Sequence, residues 1–147
     1  MSITQIVDLY DEPNLVFFSL EYNKLINPKK FKSKKLYNIH FSALPKYKGM
    51  FTSAHPVLNG EDKSGCTIHC IDAGIDTGAI ISQIDFKIAT NDNCKEVYEK
   101  YLLYGRELTF NTIDALIEND FQSSEQASVG ASYYSNKSID YSNLVVD

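Results

Sequence analysis

The fold of this chain is decided by the stretch Tyr37-Asn38-Ile39-His40-Phe41-Ser42-Ala43-Leu44-Pro45-Lys46-Tyr47-Lys48-Gly49. Side chains alternate between the two faces of a strand, so Asn38 and His40 share one face while Ile39 packs on the other. The turn that follows ends the strand and leaves the amide and the imidazole at its carboxyl end. Open α/β sheets bind their ligands at that edge, so the stretch predicts an α/β fold with a site here.

The pair formed by Asn38 and His40 suits acyl transfer. An amide N–H can polarise a carbonyl and hold the oxyanion that develops on its oxygen. A neutral imidazole can accept a proton and return it near neutral pH. The two residue types side by side therefore indicate transfer of an acyl group.

Length and composition narrow the class of protein. The 147 residues fit one domain, and a hydrophobic fraction of 44% with 22% charged residues excludes a disordered chain. The formal net charge of −5 weighs against a nucleic-acid partner, which usually requires a basic face. The sequence has no apolar run of transmembrane length and no signal-peptide pattern, so we expect no membrane partner and a cytoplasmic location.

The cysteines Cys66, Cys70 and Cys94 favour a reducing compartment over a disulfide scaffold. Two of them, with His69, have the residue types of a metal site. On a strand, however, the thiols of Cys66 and Cys70 lie about 13 Å apart and His69 faces the other way. One ion cannot bind all three, so we expect no metal.

A basic run follows Pro28 and consists of Lys29, Lys30, Lys32, Lys34 and Lys35. A solvated loop is the favoured interpretation of this run. Binding of an anion is the alternative that the sequence leaves open.

The order of elements is read from apolar runs and turn residues. Asn14 to Leu20 predicts a buried parallel strand, and the next strand ends in Asn38 and His40. Capping and turn signals predict helices over Thr52 to Asn59 and roughly over Lys95 to Asn119. Three further β-rich segments are predicted: Gly65 to Asp72, Ala79 to Ile88 and Ala131 to Tyr134.

A second informative stretch begins at the end of the predicted strand from Gly65 to Asp72. It reads Asp72-Ala73-Gly74-Ile75-Asp76-Thr77-Gly78. Its glycines make the loop between two strands pliable, so a carboxylate on it can reach a neighbouring strand end. There Asp76 can orient the imidazole of His40 and stabilise its charged form, which is how a third group activates a base.

The two stretches together resemble the formyltransferases that use N10-formyltetrahydrofolate. The resemblance rests on Asn38-Ile39-His40, on Leu44-Pro45-Lys46-Tyr47-Lys48-Gly49 and on Thr67-Ile68-His69 through Asp76-Thr77-Gly78. It implies a catalytic triad of Asn38, His40 and Asp76, in which the amide holds the formyl oxygen, the imidazole assists proton transfer and the carboxylate orders the imidazole. It also implies the C-terminal part of a Rossmann-like formyltransferase domain, with a mixed, mostly parallel sheet.

The resemblance assigns further residues. Three polar side chains are expected to support the triad: Ser42, Thr67 and His69. For His69, a half-buried strand histidine with no role in the reaction remains the alternative. N10-formyltetrahydrofolate is the implied cosubstrate, and its pterin would lie between apolar side chains on two loops, namely Tyr22, Leu25 and Ile26 on one and Ile71, Asp72 and Ile75 on the other.

The acceptor is inferred from how the chain departs from many relatives. Phe41 follows the histidine where many members have proline, and this variant is similar to sugar-amine formyltransferases of bacterial surface-polysaccharide (lipopolysaccharide) pathways. The implied acceptor is a nucleotide-linked amino sugar, in particular a dTDP-4-amino-4,6-dideoxyhexose. The alternatives are glycinamide ribonucleotide or methionyl-tRNA as acceptor, and a catalytically incomplete fragment or folate-binding module.

The resemblance also predicts how the chain is divided. Residues 1–120 are expected to form a partial catalytic domain and residues 121–147 a C-terminal loop with a short strand and tail. Complete relatives have strand–helix units before the segment that begins near Asn14, and these units are missing here. The strand from Asn14 to Leu20 would then have an uncovered edge, so we expect either a homodimer or association with a chain that supplies the missing edge.

Overall fold

The computed structural model describes residues 6–22 and 24–139. Within these residues, six strands and two α-helices follow one another: β1 (Val16–Leu20), β2 (Lys35–His40), β3 (Lys48–Gly49), α1 (His55–Leu58), β4 (Lys63–Cys70), β5 (Ile80–Lys87), α2 (Cys94–Glu118) and β6 (Tyr133–Tyr134). Short 3-10 turns occur at Ile6–Leu9 and Pro28–Lys30. The part of the predicted C-terminal segment beyond residue 139 lies outside the described residues, and the proposed division at residue 120 stays a prediction.

The main sheet has four strands in the order β1-β2-β4-β5. β1 and β2 are parallel, whereas β2 pairs with β4, and β4 with β5, in antiparallel fashion. The mixed α/β class is therefore confirmed, but antiparallel pairing takes a larger share than the prediction gave it. The physical reason is the short connection through residues 71–79, which returns the chain directly beside β4, whereas a parallel neighbour needs a longer crossover.

The core lies between this sheet and α2. Its largest fully buried side chains include Tyr37 from β2, Ile68 from β4, and Tyr101 and Leu116 from α2. Gly105 faces the sheet, where a Cβ would lie 3.1 Å from the Phe41 ring, so the helix approaches closely. This packing fixes the position of β2 relative to α2. It therefore also fixes the strand end that carries the Asn38 amide and the His40 imidazole.

The two helix predictions have different outcomes. α2 agrees with the sequence: the Asn93 side chain caps it, Glu96 completes a capping box, and Asn119 ends it in the left-handed region. α1 is shorter than the predicted Thr52 to Asn59. It begins only at His55 because Phe51 has a left-handed φ of 59° and Pro56 occupies the first turn of a helix, where its missing N–H costs least.

The C-terminal segment packs back on the domain. β6 pairs in parallel with β3, matching Lys48 with Tyr133 and Gly49 with Tyr134. Tyr134 stacks on the His55 ring, with centroids 3.8 Å apart, and on the Tyr47 ring. The predicted short strand is thus confirmed as Tyr133–Tyr134, and it lies next to the turn that follows β2.

Candidate functional site

Two antiparallel strands present the polar side chains of the site. The register of β2 and β4 pairs Asn38 with His69 and His40 with Thr67. Because paired residues of two strands lie on the same face of the sheet, all four side chains point to one side. The period-two prediction for both strands is confirmed, and their polar face is the floor of a cavity.

His40 lies at the end of β2, and its side chain is almost fully buried. Nε2 lies 2.8 Å from the carbonyl oxygen of Tyr47. A carbonyl can only accept, so Nε2 carries a proton, and in the neutral ring Nδ1 is bare. Nδ1 lies 3.5 Å from a carboxylate oxygen of Asp76. Burial lowers the pKa of His40 below its ordinary value, and the nearby Asp76 charge opposes this only in part.

Asp76 reaches this face from the loop between β4 and β5, where its backbone has a left-handed φ of 53°. Oδ2 accepts a hydrogen bond from the Gly49 N–H at 2.9 Å, and Oδ1 accepts one from Asn38 Nδ2 at 3.3 Å. Burial acts to raise the pKa of Asp76, but contacts with His69, the charge of His40 and the Gly49 N–H outweigh it and lower the pKa. The carboxylate is therefore ionised near neutral pH.

The amide of Asn38 is oriented by its neighbours. Its Nδ2 lies 3.1 Å from Nε2 of His69, whose Nδ1 lies 2.8 Å from the Cys70 carbonyl oxygen. The carbonyl requires the proton of a neutral His69 to be on Nδ1, so Nε2 accepts from the amide. Both N–H groups of Asn38 are thus directed, one to His69 and one to Asp76. His69 contacts both Asn38 and Asp76, and its supporting role in the reaction stays a prediction.

Thr67 and Ser42 direct their hydroxyl hydrogen bonds to the turn after β2. Thr67 Oγ1 donates to the Ser42 carbonyl oxygen at 2.7 Å and accepts from the Leu44 N–H. Ser42 Oγ donates to the Lys46 carbonyl oxygen at 2.7 Å. These hydrogen bonds fix the turn after β2. That turn places the Tyr47 carbonyl oxygen beside His40 and the Gly49 N–H beside Asp76.

A residue that the sequence analysis missed holds the aspartate loop. Gln126 Nε2 donates to the carbonyl oxygens of Asp76 and Gly78, at 2.8 and 2.9 Å. Gly78 is needed beside it, because a Cβ there would lie 1.8 Å from the Cys70 carbonyl oxygen. No sequence pattern links Gln126 to a loop almost 50 positions earlier, so only the fold could identify it.

A cavity of about 430 Å³ opens above the triad. We call its first wall the set of residues predicted for the pterin, all of which line it: Tyr22, Leu25, Ile26, Ile71, Asp72 and Ile75. Leu25 and Ile75 remain 66% and 45% exposed, so apolar area is available to a ligand. Ile26 also belongs to a small apolar cluster with Phe31 and Leu36. The Asp72 carboxylate bonds to Gly74 and Thr77 and so shapes the loop.

The second wall of the cavity was not predicted. It comes from the turn after β2 and from the C-terminal segment and consists of Met50, Phe51, Thr52, Tyr133, Ser135 and Asn136. The Tyr133 ring packs on Gly49, where a Cβ would lie 2.9 Å from a ring carbon. Polar side chains and exposed aromatic surface occur together here, in contrast to the mostly apolar first wall.

Metal ligation and membrane spanning are two other classes of function. Within residues 6–22 and 24–139, no cluster of three or more histidine, cysteine or acidic side chains is arranged to ligate a metal ion. In the same residues, no helix combines the length and the apolar character needed to span a bilayer.

Known proteins match the chain in sequence. The family model described as formyl transferase matches residues 7–113. A methionyl-tRNA formyltransferase of Ligilactobacillus salivarius is 30% identical over 124 residues, which cover 83% of this chain and 38% of that protein. The bifunctional polymyxin resistance protein ArnA of Wigglesworthia glossinidia brevipalpis is 31% identical over 121 residues, or 81% of this chain and 18% of that protein.

Solved structures match the fold. An N-formyltransferase from Helicobacter canadensis, in complex with folinic acid and dTDP-3-aminofucose, superimposes with a TM-score of 0.92 at 46% identity over 94% of this chain. WlaRD, a sugar 3N-formyltransferase solved with dTDP and 5-N-formyl-tetrahydrofolate, superimposes with a TM-score of 0.93 at 45% identity over 95% of this chain. The match covers 51% of each of those chains, so this chain spans about half their length. With most of its residues inside the family match, the chain belongs to the formyl transferase family.

Proposed function

We propose that this chain transfers a formyl group from N10-formyltetrahydrofolate to the amine of a nucleotide-linked amino sugar. The observation that carries the proposal is the arrangement of Asn38, His40 and Asp76 on the floor of one cavity, between a mostly apolar wall and a polar, aromatic one. The first wall fits a flat pterin, whereas the second fits a sugar with hydroxyl groups.

Asn38 acts on the formyl oxygen in this proposal. Both of its N–H groups have acceptors, and the contact with Asp76 at 3.3 Å is longer than the contact with His69 at 3.1 Å. The formyl oxygen therefore replaces the Asp76 oxygen as acceptor, while His69 keeps the amide in orientation. As the amine attacks the formyl carbon, the same N–H stabilises the developing oxyanion.

His40 handles the proton through a single nitrogen. Its Nε2 donates to the Tyr47 carbonyl, so Nδ1 is the atom that takes the proton released by the attacking amine. The ionised Asp76, 3.5 Å away, stabilises the imidazolium that forms. The lowered pKa of His40 keeps the ring neutral, and so ready to accept, near neutral pH.

The reaction balances with these groups alone. A bond forms between the amine nitrogen and the formyl carbon, and the bond from that carbon to N10 of the folate breaks. N10 keeps the electron pair and receives the proton that the imidazole held. The products are a formamide and tetrahydrofolate, and no redox partner is involved.

The nature of the acceptor is proposed from two sources. The sequence pattern favoured a dTDP-4-amino-4,6-dideoxyhexose, while the two structures near 45% identity were solved with dTDP-3-aminofucose and as a sugar 3N-formyltransferase. Their identity to this chain exceeds the 29% of a 4-N formyltransferase from Francisella tularensis. We therefore favour a dTDP-linked 3-amino sugar and keep the 4-amino sugar as the second choice.

An acceptor panel tests the proposal. The purified chain is incubated with N10-formyltetrahydrofolate and, separately, a dTDP-3-amino sugar, a dTDP-4-amino sugar, glycinamide ribonucleotide or methionyl-tRNA, and formamide products are identified by mass spectrometry. We expect the 3-amino sugar to give the highest kcat/KM. Product from only a non-sugar amine would contradict the acceptor class, and folate binding without any product would favour the alternative of a folate-binding module.

Location and assembly complete the proposal. The thiols of Cys66, Cys70 and Cys94 are not paired in disulfides, which supports a reducing compartment, and we place the reaction in the cytoplasm. Synthesis of a surface polysaccharide such as lipopolysaccharide is the pathway we propose. Homodimerisation, or association with a chain that pairs with the edge of β1, stays a prediction.

A further inference from the structure

The two ring nitrogens of His40 compete for the one proton of the neutral imidazole. Nε2 lies 2.8 Å from the Tyr47 carbonyl oxygen, and Nδ1 lies 3.5 Å from a carboxylate oxygen of Asp76. An ionised carboxylate is the stronger hydrogen-bond acceptor, so it would draw the proton to Nδ1 if the carbonyl moved away. The position of one carbonyl group therefore decides which nitrogen is bare.

That carbonyl belongs to the turn after β2, and Ser132 binds this turn from outside. The Ser132 Oγ accepts a hydrogen bond from the Tyr47 N–H at 2.8 Å. The Ser132 carbonyl oxygen accepts from the Lys48 N–H at 2.9 Å, and the Ser132 N–H donates to the Pro45 carbonyl oxygen at 3.2 Å. The hydroxyl, the carbonyl and the N–H of this one residue are thus all bonded to the turn.

One of these hydrogen bonds acts on the peptide group that faces His40. The Lys48 N–H and the Tyr47 carbonyl oxygen are the two ends of that group. The Ser132 carbonyl binds the first end, and the His40 ring binds the second. Hydrogen bonds joined in this way polarise one another, which makes the Tyr47 carbonyl a better acceptor for Nε2.

The backbone conformation of Tyr47 shows why the turn needs outside support. Its φ is 58°, in the left-handed region that costs free energy for a residue other than glycine. Such a conformation persists only where the surrounding structure holds it. The hydrogen bond from the Tyr47 N–H to the Ser132 hydroxyl is a side-chain contact that does so.

We propose that Ser132 is a positioning residue that keeps Nδ1 of His40 bare, by holding the Tyr47 carbonyl against Nε2. The C-terminal segment then sets the proton position of the base as well as forming the second wall. This inference rests on the proposed function, because a bare Nδ1 is needed only if His40 accepts the amine proton. Ser132 itself contacts neither the donor nor the acceptor in this account.

The test compares four proteins: the unaltered chain, Ser132→Ala, Ser132→Thr and the control Ser128→Ala. Ser132→Ala removes the hydroxyl but keeps both main-chain hydrogen bonds, so the segment stays docked. Ser132→Thr retains a hydroxyl at the same position. Ser128 lies in the same part of the chain with an exposed side chain. NMR of the ring nitrogens gives the ratio of Nε2–H to Nδ1–H forms of His40, with His40→Asn assigning the signals.

In Ser132→Ala, the ratio of Nε2–H to Nδ1–H rings should fall about 5-fold, the factor that one net hydrogen bond supplies. The kcat for formyl transfer should fall in step with the fraction of rings whose Nδ1 is bare, while the KM for the folate stays within about 2-fold. Ser132→Thr should restore both quantities, and Ser128→Ala should change neither.

An unchanged ratio in Ser132→Ala overturns the inference, whatever happens to kcat or to the free energy of unfolding in urea. Loss of stability alone would show a purely structural hydrogen bond. An equal change in Ser128→Ala overturns it as well, because the effect is then not specific to the turn. The NMR ratio needs no substrate, so it is measured even if the unaltered chain transfers no formyl group. In that case the proposed function fails, while the control of the His40 proton by Ser132 is still decided.

Discussion

The triad and the first wall of the cavity are built in opposite ways. The side chains of His40 and Asp76 are 8% and 13% exposed, and contacts within the site orient the Asn38 amide nitrogen, the His40 ring and the Asp76 carboxylate. Leu25 and Ile75 in the first wall are 66% and 45% exposed and pack on little else. The groups proposed to react are thus organised before any ligand binds, while the surface proposed for binding is left for the ligand to cover. The difference predicts that changes in the triad affect kcat, and changes in the first wall affect affinity.

The largest expected effect is that of removing the imidazole. We expect His40→Asn to lower kcat for formyl transfer by about 10²- to 10⁴-fold, because Nδ1 no longer accepts the amine proton. The dissociation constant for 5-formyltetrahydrofolate should change less than about 2-fold, since the first wall is untouched. Steady-state kinetics and calorimetry measure the two quantities. If His40→Asn weakened folate binding by the same factor as it lowered kcat, the triad and the first wall would not have the separate effects on kcat and affinity that we expect.

Asp76→Asn is expected to lower kcat by about 10²-fold, because the imidazolium loses its counter-charge. It should also change the titration of His40. The chain has 3 histidines, so NMR can follow each ring separately. Burial lowers the pKa of His40 below 6.5 and Asp76 opposes this, so the substitution should lower the pKa further. An increase in that pKa would show that Asp76 does not act on His40 electrostatically.

The same pKa predicts how stability depends on pH. In the unfolded chain His40 takes up its proton near 6.5, before the folded chain does, so the unfolded state is favoured as pH falls below that value. The contribution of His40 to the free energy of unfolding is therefore fully present above pH 6.5 and is lost as the pH falls below that value. The lowered pKa of Asp76 adds a further loss as pH falls through 3.8. Urea unfolding at a series of pH values measures both, and the His40 part should disappear in His40→Asn.

Gln126→Ala should have an intermediate effect, because it acts on the triad through the backbone. Its two hydrogen bonds hold the carbonyls of Asp76 and Gly78, and their loss should lower kcat about 10-fold with little change in the KM for folate. Gln122→Ala is the matched control, since that exposed side chain has no contact with the loop. If both variants retain full activity, the aspartate loop holds its position without the C-terminal segment.

The smallest effect is expected in the first wall and has a matched control in the same chain. Leu25 and Leu58 are 66% and 69% exposed, but only Leu25 lines the cavity. Leu25→Ala should weaken folate binding about 5-fold by removing apolar area that the ligand covers. Leu58→Ala should leave it unchanged, and neither should alter kcat. Equal affinities for both variants would place the pterin elsewhere.

The period of two along β2 and the glycine-bearing loop after β4 could predict that the side chains of Asn38, His40 and Asp76 approach one another, whereas their role as a catalytic triad came only from the family resemblance and stays a prediction. Asn38, His40 and Asp76 lie together as that reasoning required. The pairing of β3 with β6 could not be predicted, because strands of two residues have no periodic pattern and lie more than 80 positions apart. That pairing places Tyr133 beside Gly49 in the second wall, and a separate bridge between Ile80 and Ser124 precedes Gln126. The start of α1 was predicted at Thr52 instead of His55 because it is set by the conformation of Phe51, not by composition.

The most direct test of the central claim is a crystal structure of the chain with bound 5-formyltetrahydrofolate, a stable isomer of the donor. We expect the pterin against Leu25 and Ile71, and the Asn38 N–H that pointed to Asp76 directed instead to the formyl-bearing end of the folate. We also expect His69 to keep its contact with the other N–H. A folate bound away from this wall, or an amide still bonded to both His69 and Asp76 with the ligand in place, would contradict it.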